Sequence, residues 1–455
     1  MSIMDFSGKH FLVIGAGISG RAASLALAGH GGSVTLNDMK AIDTAEQPWP
    51  DIKAAGVQLV FGSQETALLD GMDVVVPSPV ISPEIPIMKE AARRGLPIWS
   101  EVEVACRVTD ADMIGITGTN GKTTTTTLVG EIMKATGRQT VVGGNIGYGL
   151  SAQADNLPKE AVVVAELSSF QLEFTHSIKA KAATILNITP DHLDRHHTME
   201  GYAAAKERIF LNQDKGDYAV LNYDDEWVRA MAKDMTGTVV YFSTCGEVPE
   251  GAFYQDGQLI LRLHGQDTVV CAETDLHLFG KHNIQNCLAA ILLTYATGAP
   301  LDVIRQVLKD FKGVEHRLEK VRTIHGVTYY NDSKGTNVDA SMKALEAFPQ
   351  GHLILIAGGY DKKTPLDDFM ALAAKRVDTL ILIGDAAERF EAAAKKAGIQ
   401  DIRRTGYSME GAIMLARKIA KAPQAVLLSP ACSSFDMYDN FEQRGRVFKG
   451  IVNAI

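Results

Sequence analysis

The sequence is poor in several features, and each shortage excludes a class of protein. Five cysteines stand among 455 residues (Cys106, Cys245, Cys271, Cys287 and Cys432), an odd number without a C-x-x-C pair. Neither a disulfide framework nor a zinc knuckle fits that usage. No apolar run nears the length of about 20 residues that spans a bilayer. Residues 74–76 and 353–356 have the length of buried strands instead. Positive charge is in deficit: 45 Lys and Arg face 54 Asp and Glu, a formal net charge of −9. That balance argues against nucleic acid or an anionic membrane surface as partner. A signal-peptide pattern is missing, since Lys9 leads straight into a strand and a glycine turn; a cytoplasmic protein is expected. Internal repeats and low-complexity segments are absent as well. The remainder, 46% hydrophobic and 22% charged, is the composition of a globular enzyme, with a prior of about three domains.

What is present is organised around Met113-Ile114-Gly115-Ile116-Thr117, which heads into Gly118-Thr119-Asn120-Gly121-Lys122-Thr123 and then Thr124 to Thr127. This reads as strand, phosphate loop, helix. Glycine lets successive backbone N–H groups face one anion, and the helix N-terminus adds partial positive charge. Lys122 suits the β- and γ-phosphates, and the Thr123 hydroxyl suits Mg²⁺. The strict P-loop pattern has glycine where Ile116 stands, so the loop is shorter on its glycine side. Five consecutive threonines are poor helix formers, so structure alone explains them badly.

Along the chain, strand and helix signals alternate. A strand over 11–14 leads into Gly15-Ala16-Gly17-Ile18-Ser19-Gly20, and a second over 33–36 ends at Asn37-Asp38. That spacing fits a dinucleotide turn with an acidic ribose holder, although any diphosphate can use such a turn. Further strands over 57–60 and 73–76 precede Pro77-Ser78-Pro79. A buried strand over 162–165 finishes on Glu166, at the strand end where a Mg²⁺ ligand would sit. Another over 183–188 runs into Thr189-Pro190-Asp191-His192-Leu193-Asp194, which fits a metal site or a solvated loop equally. Lys206 lies on an Ala-rich helix and reads as solvated. Asp256-Gly257 predicts a hairpin. A long helix opens over 278–286, with His282 and Asn283 at its start. Strands over 353–356, 379–383 and 425–428 build a last sheet with polar loops at its ends.

In order, Lys122, Gly144-Asn145, Glu166, Asp191-His192-Leu193-Asp194, Lys206, His282-Asn283, His316-Arg317, Asp332-Ser333-Lys334 and Gly358-Gly359 resemble the signature set of the Mur ligases, ATP-dependent amide-forming enzymes. The likeness covers essentially the whole chain. It implies an α/β protein of three domains. Residues 1–102 would be a Rossmann-like UDP-sugar domain, 103–313 a central P-loop-type mononucleotide-binding domain, and 314–455 a Rossmann-like amino-acid-binding domain. Ser429-Pro430-Ala431-Cys432-Ser433-Ser434-Phe435-Asp436 and Asn440-Phe441-Glu442-Gln443-Arg444-Gly445 resemble the D-glutamate-adding branch. The family usually has Ser-Pro-Gly where this chain has Ser78-Pro79-Val80, and a β-branched residue there narrows the backbone.

The resemblance implies that UDP-N-acetylmuramoyl-L-alanine is joined to D-glutamate, through an acyl phosphate made with ATP, in peptidoglycan precursor synthesis. It implies ATP held by Gly118, Thr119, Asn120, Gly121, Lys122, Thr123, Thr124, His282, Asn283, Arg317, Asp332 and Lys334. The UDP-sugar would lie on Gly17, Ile18, Ser19, Asp38, Ser78, Asn145 and His192, and the amino acid on Thr336, Lys362, Ser434 and Phe441. Lys363 stands beside Lys362 as an alternative cation. Two Mg²⁺ ions would use Thr123, Glu166, His192 and Lys206, the last as a carbamate. The catalytic residues would be Lys122, His192 and Lys206, in a monomer without nucleic-acid or membrane partners. Three other readings stand beside this one: an L-alanine-adding Mur ligase, an NAD-dependent oxidoreductase on the Gly15–Gly20 turn, and a P-loop switch ATPase. The oxidoreductase leaves Lys122, Glu166 and His192 unexplained, and the switch leaves two Rossmann-like domains unexplained.

Overall fold

The structure is a computed structural model that describes residues 3–45, 48–278, 280–348 and 352–455. Two compact units divide the chain. One runs to Leu276 and takes in His282–Asp310; the other joins His277–Lys281 to Phe311–Ile455. Among the described residues no helix is long and apolar enough to cross a membrane.

The first unit contains two sheets. Strands β1 (His10–Ile14), β2 (Ser33–Asp38), β3 (Gln58–Phe61) and β4 (Val74–Pro77) are parallel in the order β3-β2-β1-β4. Phe11 to Ile14 and Val74 to Val76 are buried throughout, as parallel strands covered on both faces require. This is one mononucleotide half of a doubly wound fold. A dinucleotide fold builds two such halves, whereas among the described residues this sheet gains beyond β4 only a single bridge, Val75 to Ile98.

The second sheet has nine strands: β5 (Asp112–Thr117), β6 (Thr140–Gly144), β7 (Val162–Glu166), β8 (Ala182–Ile185), β9 (Tyr218–Asn222), β10 (Thr238–Ser243), β11 (Gly251–Gln255), β12 (Gln258–Leu263) and β13 (Gln266–Ala272). Their order is β13-β12-β11-β10-β9-β8-β5-β7-β6, parallel except for β12 against its two neighbours. The hairpin expected at Asp256-Gly257 joins β11 to β12, both turn residues having positive φ (49° and 78°), as a tight two-residue turn demands. The strand expected over 183–188 ends earlier, at Ile185.

The second unit carries β14 (Glu319–Ile324), β15 (Val327–Asn331), β16 (Leu353–Gly358), β17 (Val377–Ile383), β18 (Ile402–Arg404) and β19 (Ala425–Leu428). The order is β14-β15-β19-β16-β17-β18, with only β14 antiparallel. Its core is aliphatic on both faces, Leu355 and Leu382 on one and Ile356 and Ile383 on the other.

The boundary expected at 102/103 falls within the helix Glu101–Arg107, which packs on helices Ile18–Gly29 and Leu150–Ala154. Two expectations need correction. The threonine run is helical throughout Lys122–Ala135, because Thr123 to Thr126 are buried and tertiary packing overrides propensity. Finally, Lys206 is 2% exposed, not solvated. The long helix spans Lys281–Ala296; Phe279, ahead of it, lies outside the described residues.

Candidate active site

Strand β5 lies between β7 and β8, with Ile116 opposite Glu166 and Thr117 opposite Ile185. Its C-terminal end therefore delivers the phosphate loop to the middle of the sheet. Gly121 has φ +85°, and a Cβ there would collide with Asn286 Oδ1, so glycine is required on both counts. The loop is pinned from the next strand end: Asn187 Oδ1 accepts from the Asn120 N–H at 2.8 Å, and the Thr119 N–H donates to Asn187 O at 2.9 Å. Thr125 Oγ1 donates to Asn286 Oδ1 at 3.2 Å, and Asn286 Nδ2 donates to Asn283 Oδ1 at 3.1 Å. Asn283 is thereby joined to the loop, with half-buried His282 beside it. Sequence reasoning missed Asn187 and Asn286; the only signal for Asn286 was its i+3 spacing from Asn283.

Lys122 is the first residue of its helix, not a loop residue, and is half-buried. Its Nζ folds back onto Gly118 O (2.9 Å) and Thr119 O (2.7 Å). Lys206 Nζ donates to the same Gly118 O at 2.9 Å and to Thr117 Oγ1 at 3.4 Å, and lies 4.7 Å from the centre of the Tyr202 ring. Two amines thus share one carbonyl. Burial, and then the neighbouring Lys122 charge, push the Lys206 amine well below its ordinary range; both disfavour the ammonium form. Tyr202, also missed, is buried and its hydroxyl lies 3.2 Å from Thr119 Oγ1.

Glu166 is 1% exposed, so it is not a surface carboxylate. Asn145 Nδ2 donates to its Oε1 at 3.0 Å, while its Oε2 has no hydrogen-bond partner among the described residues. A buried, half-satisfied carboxylate beside a phosphate loop has the chemistry of a cation ligand. His192 is exposed, with φ +52°, and its ring lies 4.7 Å from that of Phe170. His196 Nε2 lies 3.0 Å from Ser169 Oγ, and burial lowers its pKa.

At the glycine turn, Gly17 and Ile18 are exposed and Ser19 is half-buried. Asp38 and Ser78 turn inward. Asp38 Oδ2 accepts from the Ala16 N–H at 2.8 Å and Oδ1 from the Lys40 N–H at 2.9 Å. Ser78 Oγ donates to Gly15 O at 3.1 Å. Both therefore hold the shape of the turn. Val80 is 84% exposed and avoids the left-handed region, which is how valine is tolerated there.

In the second unit, the loops after β15, β19 and β16 emerge at one sheet edge, since Asn331, Leu428 and Ile356 are in register. Asp332 is buried, accepts from Ser429 Oγ (2.7 Å) and the Leu318 N–H (3.2 Å), and has its pKa pushed up to about 6 by burial, against the pull of Arg317. Arg317 is half-buried, and its Nε has no hydrogen-bond partner among the described residues. Lys334 Nζ lies 5.8 Å from the centre of the Phe441 ring, and Phe441 O accepts from Ser333 Oγ at 2.8 Å. Lys362 Nζ reaches Thr336 O at 3.1 Å, whereas Lys363 pairs with Asp361 at 2.8 Å. Lys362 is thus the lysine beside Thr336. Buried Arg444, missed as a site residue, fastens the loops by donating to Ser333 Oγ, Ser333 O, Cys432 O and Ser433 O. Glu315, His316 and Glu319 cluster closely enough for a metal, but the Lys449 ammonium already bridges the two carboxylates at 2.9 and 2.5 Å.

Family models describe these regions as the Mur ligase middle domain, matching residues 116–294, and the Mur ligase glutamate ligase domain, matching 316–432. The UDP-N-acetylmuramoylalanine–D-glutamate ligase of Desulfitobacterium hafniense is 46% identical over 99% of this chain and 98% of its own length. That of Pelotomaculum thermopropionicum is 43% identical over 100% of this chain and 99% of its own. Among solved structures, a pseudomurein peptide ligase type C from Methanothermus fervidus shares the fold, with a TM-score of 0.61 at 20% identity over 98% of this chain and 100% of that one. With full-length relatives at this level of identity, the chain belongs to the Mur ligase family.

Proposed function

We propose that the chain joins D-glutamate to UDP-N-acetylmuramoyl-L-alanine in the cytoplasm, as a monomer, with ATP converted to ADP and phosphate. The observation that carries the chemistry is the pair of amines on Gly118 O. Two ammonium groups on one carbonyl repel each other. If Lys206 is instead neutral, its lone pair can attack CO₂: a C–N bond forms, a proton leaves, and a carbamate anion faces Lys122. This exchanges a like-charge contact for an opposite one. The substrates follow from the likeness to full-length D-glutamate ligases.

In the reaction, a carboxylate oxygen of the L-alanine attacks the γ-phosphorus and ADP departs. The D-glutamate nitrogen then attacks the acyl carbon, phosphate leaves with that oxygen, and the nitrogen loses a proton. Anion meets anion in the first step, so pre-positioned cations and N–H dipoles supply most of the acceleration. Lys122 and the loop N–H groups would cradle the β- and γ-phosphates, with His282 and Asn283 on the nucleoside side. Thr123 and Glu166 would hold one Mg²⁺, and His192 with carbamylated Lys206 a second; bound there, they neutralise phosphate charge. The three sheets would correspond to UDP-sugar, ATP and amino-acid domains. Gly17, Ile18 and Ser19 would meet the diphosphate, with Asp38 and Ser78 shaping the turn and Asn145 orienting Glu166. Arg317, Asp332 and Lys334 would serve ATP, and Lys362, Thr336, Ser434 and Phe441 the D-glutamate carboxylates.

Isotope transfer tests this sequence. With ¹⁸O in the L-alanine carboxylate, one ¹⁸O should appear in the released phosphate per amide formed. Phosphate free of the label would rule out the acyl phosphate.

A further inference from the structure

The turn after β4 and the segment after β8 meet at one guanidinium. Arg195 Nη1 donates to Pro79 O at 3.1 Å and to Ile81 O at 3.0 Å, the two carbonyls flanking Val80. Its Nε and Nη2 donate to Glu173 Oε2 at 3.0 and 2.8 Å. The guanidinium carbon lies 4.5 Å from the centre of the Phe170 ring. That same ring contacts the His192 imidazole, and the Arg195 N–H donates to His192 O at 3.1 Å. One side chain therefore touches the turn offered for the UDP-sugar, its own counter-charge and the aromatic support of a candidate metal ligand. Only a planar fork serves all three, because an ammonium presents a compact charge without the flat face that stacks on a ring. The arrangement is stiff: Arg195 is largely buried, its charge is matched by Glu173, and Val80 is left pointing outward.

We propose that Arg195 is a positioning residue of the ligase reaction, fixing the Pro79 and Ile81 carbonyls and, through Phe170, the His192 imidazole as one rigid unit. This rests on the UDP-sugar reading given above. It also accounts for valine at the Ser-Pro-Gly position, because carbonyls tethered on both sides hold the turn without glycine's freedom.

Arg195→Lys keeps the stem and charge but loses the fork; Arg195→Met keeps only the stem and serves as the second variant. Calorimetry with UDP-N-acetylmuramoyl-L-alanine, without nucleotide or metal, reads the turn apart from catalysis. A non-hydrolysable ATP analogue with Mg²⁺ reads the phosphate loop. Both variants should bind the UDP-sugar at least tenfold more weakly and the analogue within twofold of wild type, with KM for the UDP-sugar raised and KM for ATP unchanged. UDP-sugar affinity within threefold of wild type in both variants, or an equal loss for both ligands, would overturn the assignment. A wild-type protein that failed to bind the UDP-sugar would instead count against the proposed substrate.

Discussion

Replacing Lys206 by methionine separates the carbamate account from every account in which this residue merely packs. The buried stem is kept and only the amine is lost. Two hydrogen bonds disappear, to Gly118 O and Thr117 Oγ1, worth about 1 kcal/mol each. Against that, the fold no longer buries an amine whose charged form is disfavoured by burial and by Lys122. Stability should therefore change by less than about 2 kcal/mol. Activity should change far more. Losing an anionic group that helps to hold cations at the transferring phosphoryl should cost on the order of 10³-fold, or about 4 kcal/mol of barrier. Coupled ADP release measures the second quantity and thermal melting the first. Formate or acetate should restore part of the activity by occupying the vacated space. Lys206→Arg should remain inactive, since guanidinium stays cationic. Wild type in ¹³C-bicarbonate should show a carbamate carbon signal that Lys206→Met lacks. A Lys206→Met protein that melts normally and turns over within about tenfold of wild type would return Lys206 to a packing role.

If Lys122 holds the phosphates as proposed, Lys122→Ala should lose at least about 10²-fold in turnover while stability stays within about 1 kcal/mol; unchanged ADP release would contradict this. Calorimetry should detect UDP-N-acetylmuramoyl-L-alanine and no NAD(H), since the first sheet is a single mononucleotide half; tight NAD(H) binding would reverse the reading. Asp332 titrates near 6 when folded against 3.8 when free, so the folded state keeps a proton that the unfolded state releases between those values. Its contribution is therefore lost as pH rises from about 4 to 6, by at most about 3 kcal/mol. Denaturant melts at both pH values should show this slope in wild type and its absence in Asp332→Asn; equal slopes would remove the assignment.

Much of the site was legible in the chain. Gly118 to Thr123 follows a buried strand, and Glu166 ends one, so the general rule for strand ends in open sheets located both. The polar loops after β15, β16 and β19 were legible for the same reason. Lys206 was not. It sits among Ala203, Ala204 and Ala205, and such small side chains give a helix little contrast between its faces, so nothing in the pattern indicated burial. Asn187, Tyr202, Asn286 and Arg195 were missed because their partners lie far along the chain. The distance from Tyr202 to Thr119, for example, is 83 residues. The boundary expected at 102/103 falls within the helix Glu101–Arg107, whose contacts run to helices Ile18–Gly29 and Leu150–Ala154, although Gly95 and Pro97 stand shortly before it.

The most direct measurement is ADP release in a matrix of amino acids and UDP-sugars. ATP turnover should require both UDP-N-acetylmuramoyl-L-alanine and D-glutamate, with L-alanine and L-glutamate inactive. Turnover with UDP-N-acetylmuramate and L-alanine, or turnover that needs no amino acid at all, would contradict it.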